Sequence, residues 1–293
     1  MKVFVTGASG FVGSAVVQEL RQAGHQVLGL ARSEAAAQAL TAAGAEALRG
    51  DLTDLDSLTH GAAAADAVIH LAYNHDFSQY EAAAGTDSRA IAAMGNALAG
   101  SDRPLVVTSG FGGFALGRPI TEDDASAGIG RLSEQAALTL VPQGVRAMVV
   151  RLAASVHDVG DHGFVPYLIG LAHQKGEAAY LGEGLNRWPA VHRRDAARLF
   201  RLAVEQGQAG ARYHGVADEG IAFRDLATVI GQHLGVPVVS KSAAEAAEYF
   251  GWMARFAGLD MAASSALTQQ WLGWQPMQMG LLEDLEQGDY FAG

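Results

Sequence analysis

The chain contains no cysteine in 293 residues, which removes disulfides, thiol nucleophiles and thiolate metal sites together. That absence suits a reducing compartment, and a cytoplasmic location is expected. Charge is sparse: charged residues make up 17% of the chain and the formal net charge is −11. A nucleic-acid surface is therefore not expected, although net charge is silent about local patches. No stretch of about 18 apolar residues runs free of charges or breakers, so no membrane span is expected. No secretory signal is visible around Lys2 and the first apolar run. Nor is there an H-E-x-x-H pattern. His157, Asp158, Asp161 and His162 lie close together, but their spacing is not diagnostic, and no metal site is expected.

What is present is enough apolar sequence, 49%, to build a substantial core. KVFVT (2–6), HQVLGL (25–30), Ala45 to Leu48, DAVIHLA (66–72), RPLVVTSG (103–110) and GVRAMVVRLA (144–153) read as strands. Helical patterns at 11–23, 33–43, 54–63, 78–99 and 131–141 separate them. The Ala-rich run 34–48 suits a short helix ending in a turn at Gly44. Strands alternating with helices predict an α/β fold of Rossmann type, a parallel sheet with helices on both faces. Residues 1–154 form that domain. Residues 155–293 are read as a smaller, mostly helical substrate lobe with elements returning to the first part. Its helices fall in GDHGFVPYLIGLAHQKG (160–176), GLNRWPAVHRRDAARLFRLAVEQG (184–207), FRDLATVIGQHLGV (223–236), SAAEAAEYFGWMARFAG (242–258) and SSALTQQWLGWQP (264–276). ARYHGVA (211–217) reads as a further strand, and most of the lobe's aromatics as core.

The segment TGASGFVG places Gly7, Gly10 and Gly13 between the first strand and the first helix. In that context Gly7 permits a tight turn, Gly10 lets the backbone approach phosphates and Gly13 lets helix and strand pack closely. The helix N-terminus adds N–H donors and partial positive charge, so a dinucleotide is expected there. The second strand ends in LGLARSE, with no carboxylate until Glu34. Arg32 can pair with a ribose 2′-phosphate and Ser33 can add a hydroxyl, so NADP is favoured over NAD. Arg32 as a plain solvated surface residue is the other reading.

TGASGFVG, GDLTD (50–54), HLA (70–72) and TSG (108–110) together resemble the short-chain dehydrogenase/reductase superfamily, in its extended, NAD-dependent epimerase/dehydratase-like branch. The resemblance covers nearly the whole chain. It is similar to an atypical subgroup in which a basic residue replaces the usual Tyr-x-x-x-Lys pair. The resemblance implies that Ser9, Phe11 and Val12 join the three glycines at the cofactor. Asp51 and Leu52 would then border the adenine, and Leu71, Ala72 and Tyr73 would lie along the cofactor. Thr108 and Ser109 would sit beside the nicotinamide. Asp87 falls where the family often has an Asn. Asp51 could equally cap a helix, and Ser109 could simply end a strand.

The matching segment DDASAGIGRLSEQAALTL (123–140) has neither tyrosine nor lysine. Arg131 takes the lysine position and Ala127 the tyrosine position. Arginine is a poor proton donor near neutrality, so the proton must come from elsewhere, or from water. Tyr73, with His75 and Asp76 behind it, and His157, His162 and Tyr167 are the candidates, histidine because it titrates near pH 7. Ser109, Arg131, Tyr73 and His162 form the expected catalytic set. Tyr167, Trp188 and His192 are expected to line the substrate, while Arg193, Arg194 and Asp195 could cap and pair at a helix start.

These residues point to an NADPH-dependent oxidoreductase reducing a carbonyl-type small molecule. The alternatives are an NADP(H)-binding redox sensor resembling NmrA-like proteins, which bind without turnover, and a nucleotide-sugar epimerase or dehydratase. A monomer or a homodimer is expected, with pairing through helices 78–99 and 131–141 in the dimeric case.

Overall fold

Strand β1 (Lys2–Thr6) carries Val3 and Val5 into one core and Phe4 into another, because successive side chains on a strand point to opposite faces. A strand with no solvated face has to be covered twice, and the chain does this by alternation. Helix α1 (Phe11–Gln22), β2 (Gln26–Ala31), α2 (Glu34–Ala42), β3 (Glu46–Arg49) and α3 (Leu55–Ala63) come first. Then follow β4 (Ala67–His70), α4 (Tyr80–Leu98), β5 (Pro104–Gly110), α5 (Ser133–Leu138) and β6 (Arg146–Leu152). The structure is a computed structural model that describes all residues except 76–78, 115, 127–131 and 292–293.

The second half continues through β7 (Ser155–His157), α6 (Phe164–Lys175), β8 (Ala178–Leu181), β9 (Arg187–His192), α7 (Arg193–Gln206) and β10 (Arg212–Gly215). It ends with β11 (Asp218–Ala222), α8 (Phe223–Leu234), β12 (Val238–Lys241), α9 (Ala243–Phe250), α10 (Ala254–Ala257), α11 (Ala266–Leu272) and α12 (Leu281–Gln287).

The main sheet has seven parallel strands in the order β10-β6-β5-β4-β1-β2-β3. From β1 the chain winds outward through β2 and β3, then crosses back to β4 on the other side. The crevice at that reversal, beyond the carboxyl ends of β1 and β4, is where open α/β sheets bind ligands. One face packs Val3, Val5, Ile69 and Val106 against α1 and α7; the other packs Phe4, Val68, Leu105 and Val107 against α3 and α4. Strand β10 adds to the sheet beside β6, and α7 lies along α1, so the second half of the chain returns to cover the first.

The second half is mostly helical, as expected, with short strands interspersed. Besides β10 it contains five short strands among the described residues, in a three-stranded sheet β11-β9-β7 and a pair β12-β8. Segment 184–207 contains the expected helix, α7, and its first part is strand β9. Pro189 explains why: it disfavours helix at Trp188 and removes a backbone donor. A central strand tolerates that only at an irregularity, and the β11 register shifts between Asp218 and Ile221, opposite Pro189. No helix among the described residues is long and apolar enough to cross a membrane.

Candidate active site

The glycine loop is a cradle that side chains would fill. A Cβ on Gly13 would stand 2.0 Å from the Gly7 carbonyl oxygen, and one on Gly7 would stand 2.7 Å from the Ala72 nitrogen. Gly7 also holds a φ of +68°, which other residues adopt at a cost. Gly10 N–H donates to the Gly7 carbonyl at 2.9 Å and closes the turn. No side chain caps α1, so its first N–H groups, near Phe11, Val12 and Gly13, remain for a ligand. Ser9 and Gly10 are exposed beside them. Close approach of backbone to backbone is what a bound pyrophosphate requires, and the cradle fits one.

Past the end of β2, Arg32 and Ser33 are both exposed. Ser33 is the N-cap of α2, its Oγ accepting from Ala36 N–H at 3.2 Å, which leaves the hydroxyl proton to donate outward. Asp51 organises the turn before α3. Its Oδ1 accepts from Thr53 N–H at 2.7 Å and from Thr53 Oγ1 at 2.6 Å, and these bonds lower its pKa. The N-cap of α3 itself is Asp54. Asp51 thus fulfils its turn role with one oxygen. Leu52 is half-buried against the core.

At the tips of β4 and β5 the structure assembles a buried polar chain that crosses from sheet to helix. Ala72 N–H donates to Thr6 Oγ1 at 3.3 Å, and Thr6 Oγ1 meets His70 Nδ1 at 2.7 Å. His70 Nε2 donates to Asp87 Oδ1 at 3.0 Å, and Ser133 Oγ donates to Asp87 Oδ2. Donor counting directs the Thr6 proton to His70 Nδ1. His70, in an apolar strand, and Asp87, on α4, are both buried. Thr108 spends its hydroxyl on the His70 carbonyl at 2.8 Å, which ties β5 to β4. Ser109 is one residue further along, buried to 6% exposure, and its hydroxyl has no hydrogen-bond partner among the described residues. Leu71, Ala72 and Tyr73 follow β4 half-buried, with the Tyr73 ring edge-on to His75 at 5.3 Å. Arg131, Ala127 and Asp76 lie outside the described residues.

The second half contributes a second group of charges. His162 is exposed and sets its ring against Phe11 of the glycine loop, centroids 5.8 Å apart. Arg193 lies over the same Phe11 ring at 4.9 Å and donates from Nε to Asp158 Oδ2 at 2.7 Å. Burial alone would raise the Asp158 pKa, but Val159 N–H and Arg193 hold it below the usual range. His157 is buried and donates from Nδ1 to Asp284 Oδ2 at 2.7 Å. The expected substrate residues separate here. His192 accepts from Arg194 N–H at 3.2 Å as the N-cap of α7, and burial lowers its pKa. Trp188 is 2% exposed, packed between Phe164 and Phe223. Tyr167 faces the exposed Trp252 at 5.0 Å and donates to the Phe250 carbonyl at 3.3 Å. Asp195 accepts from Met277 and Gln278 N–H groups, so it fastens the C-terminal segment. Among the described residues no group of three or more His, Asp or Glu is placed to hold a metal ion.

Residues 3–99 match the NAD dependent epimerase/dehydratase family. An uncharacterized protein of Schizosaccharomyces pombe is 48% identical over 99% of this chain and 100% of its own length. The 2′-dehydrokanamycin reductase of Streptomyces kanamyceticus is 32% identical over 97% of this chain and 79% of its own. A dTDP-glucose 4,6-dehydratase structure from Streptomyces venezuelae, with NAD bound, superposes with a TM-score of 0.80 at 18% identity, covering 100% of this chain and 97% of that one. The last likeness is one of fold; the sequence relatives carry the assignment. The glycine cradle, the seven-stranded parallel sheet and these relatives lead to one conclusion: the chain belongs to the NAD-dependent epimerase/dehydratase family, in the extended branch of the short-chain dehydrogenase/reductase superfamily.

Proposed function

We propose that the protein is an NADPH-dependent oxidoreductase that reduces the carbonyl group of a small molecule. The observation that carries this reading is the Ser109 hydroxyl, without a partner among the described residues, at the tip of β5 on the edge of the sheet that bears the glycine cradle. When bound, NADPH supplies a hydride to the carbonyl carbon. Ser109 Oγ donates a hydrogen bond to the carbonyl oxygen and stabilises the charge that develops there. Tyr73 and His162 are the groups proposed to supply the proton to that oxygen, in place of the missing tyrosine. Arg131 is proposed to hold the cofactor ribose in place of the missing lysine. Arg32 and Ser33 at the end of β2 support NADPH over NADH. The relative named as a reductase supports carbonyl reduction.

A second reading draws on the same gap. Residues 123–140 contain no tyrosine and no lysine, as expected of a dinucleotide sensor that does not turn its ligand over. Oxidation of NADPH by purified protein, across aldehydes, ketones, quinones and imines, separates the two. The enzyme reading expects turnover that falls about 100-fold in Ser109→Ala while NADPH still binds. Tight NADPH binding with no oxidation of any panel member would favour the sensor.

A further inference from the structure

Helices α1 and α7 lie side by side and run in the same direction. Arg193, first residue of α7, sits over Phe11, first residue of α1. Further along, Arg201 Nε donates to Glu19 Oε1 at 2.7 Å, and beyond the end of α1 His25 Nε2 meets Glu205 Oε1 at 2.8 Å. Both N-termini therefore emerge at one place, the carboxyl edge of the sheet beside the glycine cradle. Two positive dipole ends converge there.

Arg193 is held in place but not used up. Its Nε donates to Asp158, and the face of its guanidinium covers the Phe11 ring. The guanidinium has five N–H donors in a rigid fork, and its two terminal nitrogens have no partner among the described residues. The side chain is 25% exposed, so it stays open to a ligand while its position over Phe11 keeps it beside the glycine loop. Arg194, next in sequence, is 66% exposed and stands 3.7 Å from the same carboxylate, so the two arginines are not equivalent.

We infer that Arg193 is a phosphate-binding residue that reaches over the glycine loop from the second half of the chain and donates to the pyrophosphate of the dinucleotide. The inference rests on the dinucleotide reading above and adds a contact outside the glycine motif. It makes the cofactor a bridge between β1–α1 and the β9–α7 junction, and ties its affinity to Asp158, which aims the guanidinium.

Calorimetric titration of the full chain with NADPH and with adenosine 2′-monophosphate, which lacks the pyrophosphate, tests this. Loss of charge-assisted hydrogen bonds in Arg193→Met is expected to weaken NADPH roughly 10- to 100-fold, and adenosine 2′-monophosphate less than about twofold. Arg193→Lys keeps the charge and a partner for Asp158 but not the fork, and is expected to fall between. Unchanged NADPH affinity in both variants would overturn the assignment, as would equal losses for the two ligands, which mark a disturbed loop. A wild-type protein that binds neither NADPH nor NADH would overturn the dinucleotide reading itself, and this inference with it.

Discussion

Ser133 and Glu134 are neighbours at the start of α5, yet they enter two different buried networks. Ser133 joins a chain of single hydrogen bonds, Ser133–Asp87–His70–Thr6, that ends at the Ala72 amide beside the glycine cradle. Glu134 joins a knot of charge. It accepts from Arg151 at 2.8 and 2.7 Å and from Arg212 at 2.7 Å, while Arg151 also donates to the Asp124 carbonyl at 2.7 Å and meets His214 Nε2 at 3.1 Å. The first network links site elements one bond at a time. The second fixes the outer strands β6 and β10 to α5 and contains a fully buried arginine. A fold can relax around one lost hydrogen bond, whereas it cannot leave a buried guanidinium unpaired.

The largest effect should follow from breaking the second network. Glu134→Ala strands Arg151 and should lower unfolding free energy by about 3–5 kcal/mol. Asp87→Asn keeps an acceptor for Ser133 and should cost only about 1 kcal/mol. Urea denaturation of both variants checks the order, and a larger loss in Asp87→Asn would reverse the comparison.

The pH dependence sharpens it further. Burial, together with the neighbouring Arg151, pushes the His214 pKa down to about 3, against a favourable bond to the Ser264 carbonyl. An unfolded histidine titrates near 6.5, so between those values the unfolded chain binds the extra proton. Stability should be complete above about pH 6.5 and fall by a few kcal/mol towards pH 3. Glu134 works in the same direction lower down. Burial would raise its pKa, but Arg151 and Arg212 hold it below the usual range, so its contribution is lost as pH falls below about 4.3. Unfolding free energy measured from pH 7 to pH 4 should therefore decline monotonically; a flat profile would mean that His214 takes up its proton equally in the folded and unfolded chain.

Two smaller effects belong to the cradle. Gly13→Ala places a Cβ against the Gly7 carbonyl and should cost about 1–3 kcal/mol of stability while removing measurable NADPH binding. Arg32→Ala should leave the fold untouched and reduce the preference for NADPH over NADH about tenfold or more, read by titration with both.

Much of this arrangement is legible in the sequence where burial is two-sided. Strands β1, β4, β5 and β6 are near-continuous apolar runs, and their predicted limits fall within about two residues of those observed. The short lobe strands carry no such mark. VVSK in β12 and DEGIA in β11 are half-buried or exposed, with no alternation to read, and β9 hides behind Pro189. The glycine cradle is legible because its spacing and its flanking strand and helix occur in one stretch. The partnership of His70 with Asp87 is not, since it joins residues 17 apart through tertiary packing; a histidine closing an apolar strand was its only trace. Arg193 and Asp158 are 35 residues apart, and nothing local distinguishes Arg193 from Arg194 until α7 is laid along α1. His192 and Trp188 look like pocket residues as letters, but packing makes one a helix cap and the other core.

Hydride transfer at the cradle can be read out with NADPH carrying two deuterium atoms at C4 of the nicotinamide. Purified protein is incubated with this cofactor and a carbonyl panel, and the products are analysed by mass spectrometry. An alcohol carrying one deuterium at the former carbonyl carbon is expected, with yield sharply reduced in Ser109→Ala. Bound cofactor recovered unoxidised, with no deuterated product from any carbonyl, would rule out hydride transfer to these carbonyls.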